Sequence, residues 1–180
     1  MKSETMDSLH EGWGRWGCFG TLGLLILLLA FGLWKLKKDT TPNVGGDVRS
    51  VAFLDAGGQR HTLAEYAGKV VVVDVWATWC PPCRASLPEI VGLQNAADGR
   101  YEVLPISVDD GGFKDVNAFL AATPMALKAY VPADRNALEP FGAIVGIPTT
   151  LIVGANGKLI TRWSGYYQGR AEKEMRAALK

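Results

Sequence analysis

The longest apolar run of the chain lies near its N-terminus. Residues 17–34 (GCFGTLGLLILLLAFGLW) contain no charged side chain. Eighteen helical residues at about 1.5 Å each span about 27 Å, close to the thickness of a bilayer's hydrocarbon core. Trp13, Trp16 and Trp34 flank the run, as aromatic residues do at membrane interfaces. The pattern predicts a single-span transmembrane anchor.

A cleaved signal peptide is the alternative interpretation of this run. The run is long for a signal peptide, and Glu4, Asp7 and Glu11 precede it in place of a simple basic start. The positive charges on its two sides nearly balance, with Lys2, Arg15 and the terminal amine before the run and three lysines at 35–38 after it, and lean slightly toward a cytoplasmic C-terminal part. We expect an uncleaved anchor, with an N-terminal tail at residues 1–16 and a linker of turn-forming residues at 35–44.

Residues 45–180 alternate between strand-like and helix-like patterns, which predicts one α/β domain. Expected strands are 48–54, 59–63, 69–77, 101–108, 125–131, 149–153 and 159–163, and expected helices are 63–66, 81–97, 112–122, 136–141 and 170–179. The first two strands form a hairpin, and Asn156-Gly157 joins the last two. The order of elements predicts a mixed sheet, half parallel and half antiparallel, flanked by helices.

A Cys-Pro-Pro-Cys turn, Cys80 to Cys83, follows the continuous β-branched strand at 69–77 and precedes a helix. Two cysteines at this spacing can close a disulfide ring or chelate zinc. A structural zinc site needs four ligands, and Cys18, His10 and His61 are not at finger-like spacing. A lone CxxC between a buried strand and a helix is typical of a redox site.

The chemistry of this turn depends on a thiolate. Pro81 and Pro82 suit the first helical turn, where no amide hydrogen is needed. The remaining amides and the helix dipole then favour the anion of Cys80. We therefore expect Cys80 to be the attacking nucleophile, and Cys83, inside the turn and less exposed, to be the resolving thiol.

Other candidate residues surround the turn. Asp74 lies in the Val-rich strand, so its pKa should rise, and it could accept the proton of Cys83 through water. The alternative is an edge position facing solvent. Trp76 and Trp79 would cover the turn, although core packing explains them as well. Pro148, after Gly146 and Ile147, suits a cis peptide, although most X-Pro bonds are trans.

Residues 45–180 resemble the thioredoxin superfamily, specifically TlpA-like membrane-anchored thiol:disulfide oxidoreductases related to cytochrome c maturation. The resemblance rests on VVVVDVWATWCPPCR, Leu87-Pro88 and VGIPTTLIV. It implies that Cys80 attacks, that Cys83 resolves, and that Pro148 is cis. It also implies a thioredoxin-like fold with an added N-terminal hairpin, and a substrate groove that includes Trp79, Pro81, Pro82, Ile147 and Pro148.

Two departures from this family pattern stand out. Many relatives carry Glu three residues after the second cysteine, where this chain has Ser86. Relatives often have Asn at the position of Asp74, where this chain is similar to ordinary thioredoxin. Asp74 could therefore handle the proton that the missing Glu would handle, and a dedicated role in reducing apocytochrome c is put in doubt.

The expected partners follow from the resemblance and the charge. Residues 45–180 carry equal numbers of basic and acidic side chains, which disfavours nucleic acid as a partner. We expect disulfide-bearing protein substrates, a membrane dithiol electron donor, and the lipid bilayer through residues 17–34. The resemblance implies an extracytoplasmic (periplasmic) domain on the cytoplasmic membrane. No cofactor or metal is implied.

Three rival functions remain at this stage. The same dithiol chemistry could run as a disulfide oxidase. Peroxide reduction of the peroxiredoxin type needs a Pro-x-x-x-Thr-x-x-Cys loop, but Val73 and Ala77 occupy the Pro and Thr positions. A non-catalytic thiol or metal-binding module could use Cys80 and Cys83 as soft ligands, yet no histidine follows them.

Cys18 is expected to pack in the membrane, with lipidation or an intermolecular bridge as alternatives.

Overall fold

The computed structural model describes residues 23–31 and 43–180 of the chain. The chain divides into two compact units, residues 1–41 and residues 42–180. In the first unit, residues 23–31 are helical and exposed. None of the described helices is both long enough and apolar enough to cross a bilayer. The rest of the predicted anchor, at 17–22 and 32–34, lies outside the described residues, as do Cys18, the predicted tail and most of the predicted linker.

The second unit is an α/β domain. Its described strands are β1 (Ala52–Leu54), β2 (Arg60–Thr62), β3 (Val70–Trp76), β4 (Tyr101–Ser107), β5 (Val131–Pro132), β6 (Thr149–Val153) and β7 (Leu159–Ser164). Its helices are α1 (Pro81–Asn95), α2 (Phe113–Ala122) and α3 (Arg170–Ala178), and Leu63–Tyr66 and Glu139–Phe141 are 3₁₀-helical.

The central sheet has the strand order β4-β3-β6-β7. β3 pairs with β4 in parallel and with β6 antiparallel, and β6 pairs with β7 antiparallel. This arrangement confirms the predicted mixed sheet. Because β3 has a neighbour on each side, the Cys-Pro-Pro-Cys turn emerges from the carboxyl end of an interior strand.

The predicted hairpin at the start of the domain forms, but as part of a second sheet. β1 pairs antiparallel with both β2 and β5, in the order β2-β1-β5. A parallel bridge between Ile106 and Tyr130 connects this sheet to β4. The predicted strand at 48–54 is too long, since residues 49 and 50 form a turn and only Ala52–Leu54 pairs.

Two other predicted elements are shorter than expected. Of the strand expected at 125–131, only Val131 belongs to a strand, because the side chain of Gln94 hydrogen-bonds the backbone N and O of Lys128 in place of a neighbouring strand. Of the helix expected at 136–141, only the 3₁₀ turn Glu139–Phe141 forms. Gly142, at φ 78°, ends it.

The alternation along β3 divides the core into two clusters. Val70, Val72 and Trp76 pack on one side with residues of α1 and α3, including Leu87 and Met175. Val71, Val73 and Val75 pack on the other side, in a separate buried cluster. Successive side chains of a strand point to opposite faces, so Asp74 shares the face of Val72 and Trp76. The sheet therefore presents Asp74 toward the helix that begins at the cysteine turn.

Candidate active site

The cysteine turn begins α1. Cys80 is the N-cap residue, with φ −91° and ψ 107°, and Pro81 and Pro82 occupy the first helical positions, as predicted. Neither proline has an amide hydrogen, so the N–H of Cys83 is the first one available inside the helix. It donates to Sγ of Cys80 at 3.2 Å. The helix N-terminus therefore presents its partial positive charge to this sulfur.

Cys80 and Cys83 are joined by a disulfide, with their Cα atoms 5.2 Å apart. Both residues are buried, Cys80 with 3% and Cys83 with 0% of its surface exposed. The order of exposure is the predicted one, but the difference is small. An incoming partner therefore reaches the pair from the Cys80 side of the turn.

The loop before β6 lies against the disulfide. The Ile147–Pro148 peptide bond is cis, as the resemblance implied. Sγ of Cys80 lies 3.8 Å from the carbonyl oxygen of Ile147. The N–H of Gly165 donates to the carbonyl of Pro148 at 2.8 Å and thereby ties the loop to the end of β7. The two sequence motifs, 67 residues apart, thus meet at one place.

Apolar side chains surround this place on the surface. Trp79 is 67% exposed, and Pro81 and Pro82 are exposed as well. Ile147 is half-buried and Pro148 is buried. Val145, which sequence analysis missed, is 84% exposed on the same loop as Pro148. Its only sequence signal is its place directly before the Gly146-Ile147-Pro148 motif.

Asp74 is buried, with 1% of its surface exposed, and the alternative of a solvent-facing edge position is wrong. It lies opposite Pro105 of β4 and Thr150 of β6. Burial raises the pKa of Asp74 to about 7; the hydrogen bond from Thr150 opposes this shift, and the charge of Glu89 adds to it. The Thr150 hydroxyl donates to Oδ1 at 3.0 Å. A carboxyl group with this pKa can hold or release a proton at neutral pH.

Sequence analysis also missed Asp109, which supports the turn from the end of β4. Its carboxylate accepts hydrogen bonds from the Thr78 N–H at 2.9 Å and from the Thr78 hydroxyl at 2.7 Å. The Ser107 hydroxyl donates to it at 2.6 Å. Asp109 thus fixes the residue two positions before Cys80. No local pattern signals this contact, because 31 residues separate the partners.

Glu89, on α1, is a third residue that sequence analysis missed. One of its carboxylate oxygens accepts the Gly169 N–H at 3.0 Å.

Ser86, the position at which many relatives carry Glu, is buried, and its hydroxyl donates to the Cys83 carbonyl at 2.7 Å. The described residues contain no group of three or more His, Cys, Asp or Glu side chains arranged to hold a metal ion.

Several known proteins are similar to this chain. A model of the redoxin family matches residues 37–179. The thiol-disulfide oxidoreductase ResA of Geobacillus thermodenitrificans is 27% identical over 141 residues, which are 76% of this chain and 80% of that protein. An uncharacterised protein of Haemophilus influenzae is 38% identical over 98 residues, which are 54% of this chain and 58% of that protein.

A solved structure agrees with these matches. A Chlorobium tepidum protein, described as a candidate thiol:disulfide interchange protein DsbE, superimposes with a TM-score of 0.67 and 26% identity. The match covers 78% of this chain and 100% of that one. The chain therefore belongs to the redoxin family, and its fold and Cys80–Cys83 pair are those of a thioredoxin-like thiol–disulfide oxidoreductase.

Proposed function

We propose that this protein reduces disulfide bonds in other proteins through the Cys80–Cys83 dithiol. The observation that carries the proposal is the position of the pair. The disulfide closes the N-terminus of α1 beside the cis-Pro148 loop. Exposed Trp79 and Val145 offer an apolar surface next to it, suited to an extended segment of a partner protein.

The reaction follows from this geometry. In the reduced protein, the Cys80 thiolate attacks one sulfur of a substrate disulfide and releases the other sulfur as a thiolate. Cys83 then loses its proton and attacks Sγ of Cys80, which breaks the mixed disulfide and forms the Cys80–Cys83 bond. Two electrons pass from the dithiol to the substrate, and both substrate sulfurs leave reduced.

Asp74 is the proposed acceptor of the Cys83 proton. Its position on the α1 face of β3 and its pKa of about 7 suit a base that works near neutral pH. Trp79, Pro81, Pro82, Ile147 and Pro148 are the proposed groove residues. They lie in the cysteine turn and in the loop before β6, outside the sheet.

The proposed direction of electron flow is from the dithiol to the substrate, which requires the disulfide form to be the more stable one. Strong oxidants of this chemistry owe their potential to a reduced form that is much stabilised. Burial of Cys80 and Cys83 opposes a charged thiolate, while the N–H of Cys83 favours one. The proposal takes burial to be the larger of the two effects.

The proposed setting is the outer side of the cytoplasmic membrane. An uncleaved anchor at residues 17–34 would hold the domain there as a TlpA-like protein, and a membrane dithiol donor would reduce it again. HelX of Rhodobacter capsulatus, a thiol:disulfide interchange protein, is 31% identical over 100 residues. A link to cytochrome c maturation is part of this proposal, although Ser86 replaces the Glu of many relatives.

The two-thiol mechanism predicts different results for the three cysteines. Cys83→Ser should lower the turnover of insulin disulfide reduction by at least about 100-fold and should accumulate a mixed disulfide through Cys80, because no second thiol releases the substrate. Cys80→Ser should be inactive without forming this adduct. Cys18→Ser is the matched control and should keep full turnover. Retained turnover in Cys83→Ser would contradict the mechanism.

A further inference from the structure

A small cavity lies beneath the active turn. Its walls include Asp74 from β3, Ser86 and Glu89 from α1, Pro148 and Thr150 from the β6 region, and Tyr166 after β7. Its volume, about 10 Å³, is enough for a single water molecule. Two of the lining residues connect the cavity to the disulfide turn: the Ser86 hydroxyl donates to the Cys83 carbonyl, and Pro148 follows Ile147, whose carbonyl oxygen lies beside Sγ of Cys80.

Two carboxyl groups line this cavity, and each accepts a hydrogen bond through only one of its two oxygens. Oδ1 of Asp74 accepts from Thr150 and Oε2 of Glu89 accepts from Gly169. Oδ2 of Asp74 and Oε1 of Glu89 are buried and accept no well-formed hydrogen bond from the described residues. The Tyr166 hydroxyl lies beside Glu89, and burial together with its interaction with the Glu89 carboxylate raises the pKa of Tyr166. Unpaired buried carboxyl oxygens are costly, and a proton or a water molecule between them removes this cost.

Asp74 also needs a path to solvent. With 1% of its surface exposed, it cannot exchange a proton with bulk water directly. Among the described residues that line the cavity, none is a lysine, arginine or histidine. Arg170, the first residue of α3, stacks on the rings of Trp163 and Tyr167. Glu89 is only partly buried, and Tyr166 beside it is 37% exposed.

We propose that Glu89 is the relay through which Asp74 exchanges its proton with solvent while Cys83 resolves the mixed disulfide. The proposal rests on the dithiol function argued above and assigns a new role to a residue of α1. The proton leaves the Cys83 thiol for the Asp74 carboxylate, the Cys83 sulfur bonds to Cys80, and the substrate departs as a thiolate. The proton then moves from Asp74 to Glu89 and on to water.

A purely structural role for Glu89 predicts a different result. Its hydrogen bond to Gly169 caps the N-terminus of α3, where a negative charge is also favourable. Glu89→Gln keeps an oxygen that can accept this hydrogen bond but removes the charge and the proton acceptor. Glu139→Gln is the matched control, because it removes one charge from an exposed 3₁₀ turn outside the cavity.

The first measurement is a ¹³C NMR titration of the Asp74 carboxyl group in the oxidised full-length chain, without substrate. In Glu89→Gln the titration midpoint of Asp74 should fall, because a nearby negative charge is gone. The second measurement is turnover against pH. Direct general bases contribute about 10²- to 10⁴-fold, so loss of a relay behind one should cost about tenfold. Glu139→Gln should change neither quantity, and the melting temperature of Glu89→Gln should stay near that of the parent chain.

These outcomes separate the relay from the function it serves. An unchanged Asp74 midpoint, or a lowered midpoint with unchanged turnover, would overturn the relay. A tenfold loss that is explained by a lower melting temperature would assign Glu89 to helix capping and overturn it too. If the parent chain itself reduces no disulfide, the proposed function fails, and the titration still shows whether the two carboxyl groups are coupled.

Discussion

The carboxyl group of Asp74 lies within β3, all seven residues of which are buried. Its pKa is about 7, against 3.8 for an ordinary aspartate. An unfolded chain therefore ionises Asp74 at a lower pH than the folded protein does. The folded state is therefore more stable when Asp74 is neutral. This contribution to the free energy of unfolding is complete below about pH 4 and is lost as the pH rises to about 7.

Replacing Asp74 with asparagine should remove this dependence on pH. Asp74→Asn keeps an oxygen for the Thr150 hydroxyl but cannot ionise. At pH 8 we expect it to raise the free energy of unfolding by up to about 4 kcal/mol, which is the pKa difference at about 1.4 kcal/mol for each unit. Below pH 4 the two proteins should be equally stable. Chemical denaturation at pH 4, 6 and 8 measures the difference.

Asp110→Asn is the control for this experiment, because Asp110 is exposed and should show no such trend. Asp74→Asn should also abolish any inflection near pH 7 in the rate of disulfide reduction. A variant that gains no stability at pH 8, or that keeps the inflection, would contradict both the raised pKa and the role as proton acceptor.

At the scale of elements, the turn between β3 and α1 depends on β4. The buried carboxylate of Asp109, just after β4, accepts hydrogen bonds from the N–H and the hydroxyl of Thr78 and from the hydroxyl of Ser107. These contacts connect the carboxyl ends of the parallel strands β3 and β4, where the disulfide lies. The cysteine turn is therefore held from the sheet as well as from its own helix.

Asp109→Ala should weaken both the fold and the site. It leaves two donors of Thr78 and the hydroxyl of Ser107 without their acceptor, and we expect a loss of about 2–4 kcal/mol in the free energy of unfolding. Turnover should fall several-fold, because Thr78 no longer fixes the approach to Cys80. Asp110→Ala, one residue along and exposed, is the control. If the two variants have the same free energy of unfolding, Asp109 does not stabilise the cysteine turn.

The elements that sequence analysis predicted best have strong local signals. The Val-rich run predicted β3, and Pro81 and Pro82 predicted the start of α1. The strand expected at 125–131 is shorter because a side chain of α1, Gln94, occupies the backbone N–H and C=O of Lys128, which pairing would use. Asp109 and Glu89 were missed because their partners lie 31 and 80 residues away in the chain. Local patterns carry no information about such contacts.

At the scale of the whole molecule, the direction of electron flow is a difference in stability. A disulfide that stabilises the folded protein more than the unfolded one makes the oxidised form favourable and the dithiol a reductant. In this domain the disulfide is buried beside a packed core, which opposes a charged thiolate and favours the oxidised form. The N–H of Cys83 donates to Sγ of Cys80 and acts in the opposite direction. The proposed direction takes burial to be the larger of the two effects.

The reduction potential should therefore be about −250 mV or lower, in the range of thioredoxin. Equilibration of the full-length chain against dithiothreitol measures it, with Cys83→Ser as the control that has no disulfide to titrate. The free energy of unfolding should correspondingly be larger for the oxidised protein than for the reduced one. A potential near about −120 mV would make the protein an oxidant and reverse the proposed direction.

The cap of α1 has a further consequence, because the sulfur that accepts the Cys83 N–H is also the sulfur that reacts. Each catalytic cycle converts this acceptor from a disulfide sulfur into an anion and back. The amide proton of Cys83 should therefore shift in its NMR frequency and slow its exchange with deuterium whenever the protein is reduced. The NMR signal of one backbone amide should thus report the redox state of the intact protein without an added probe.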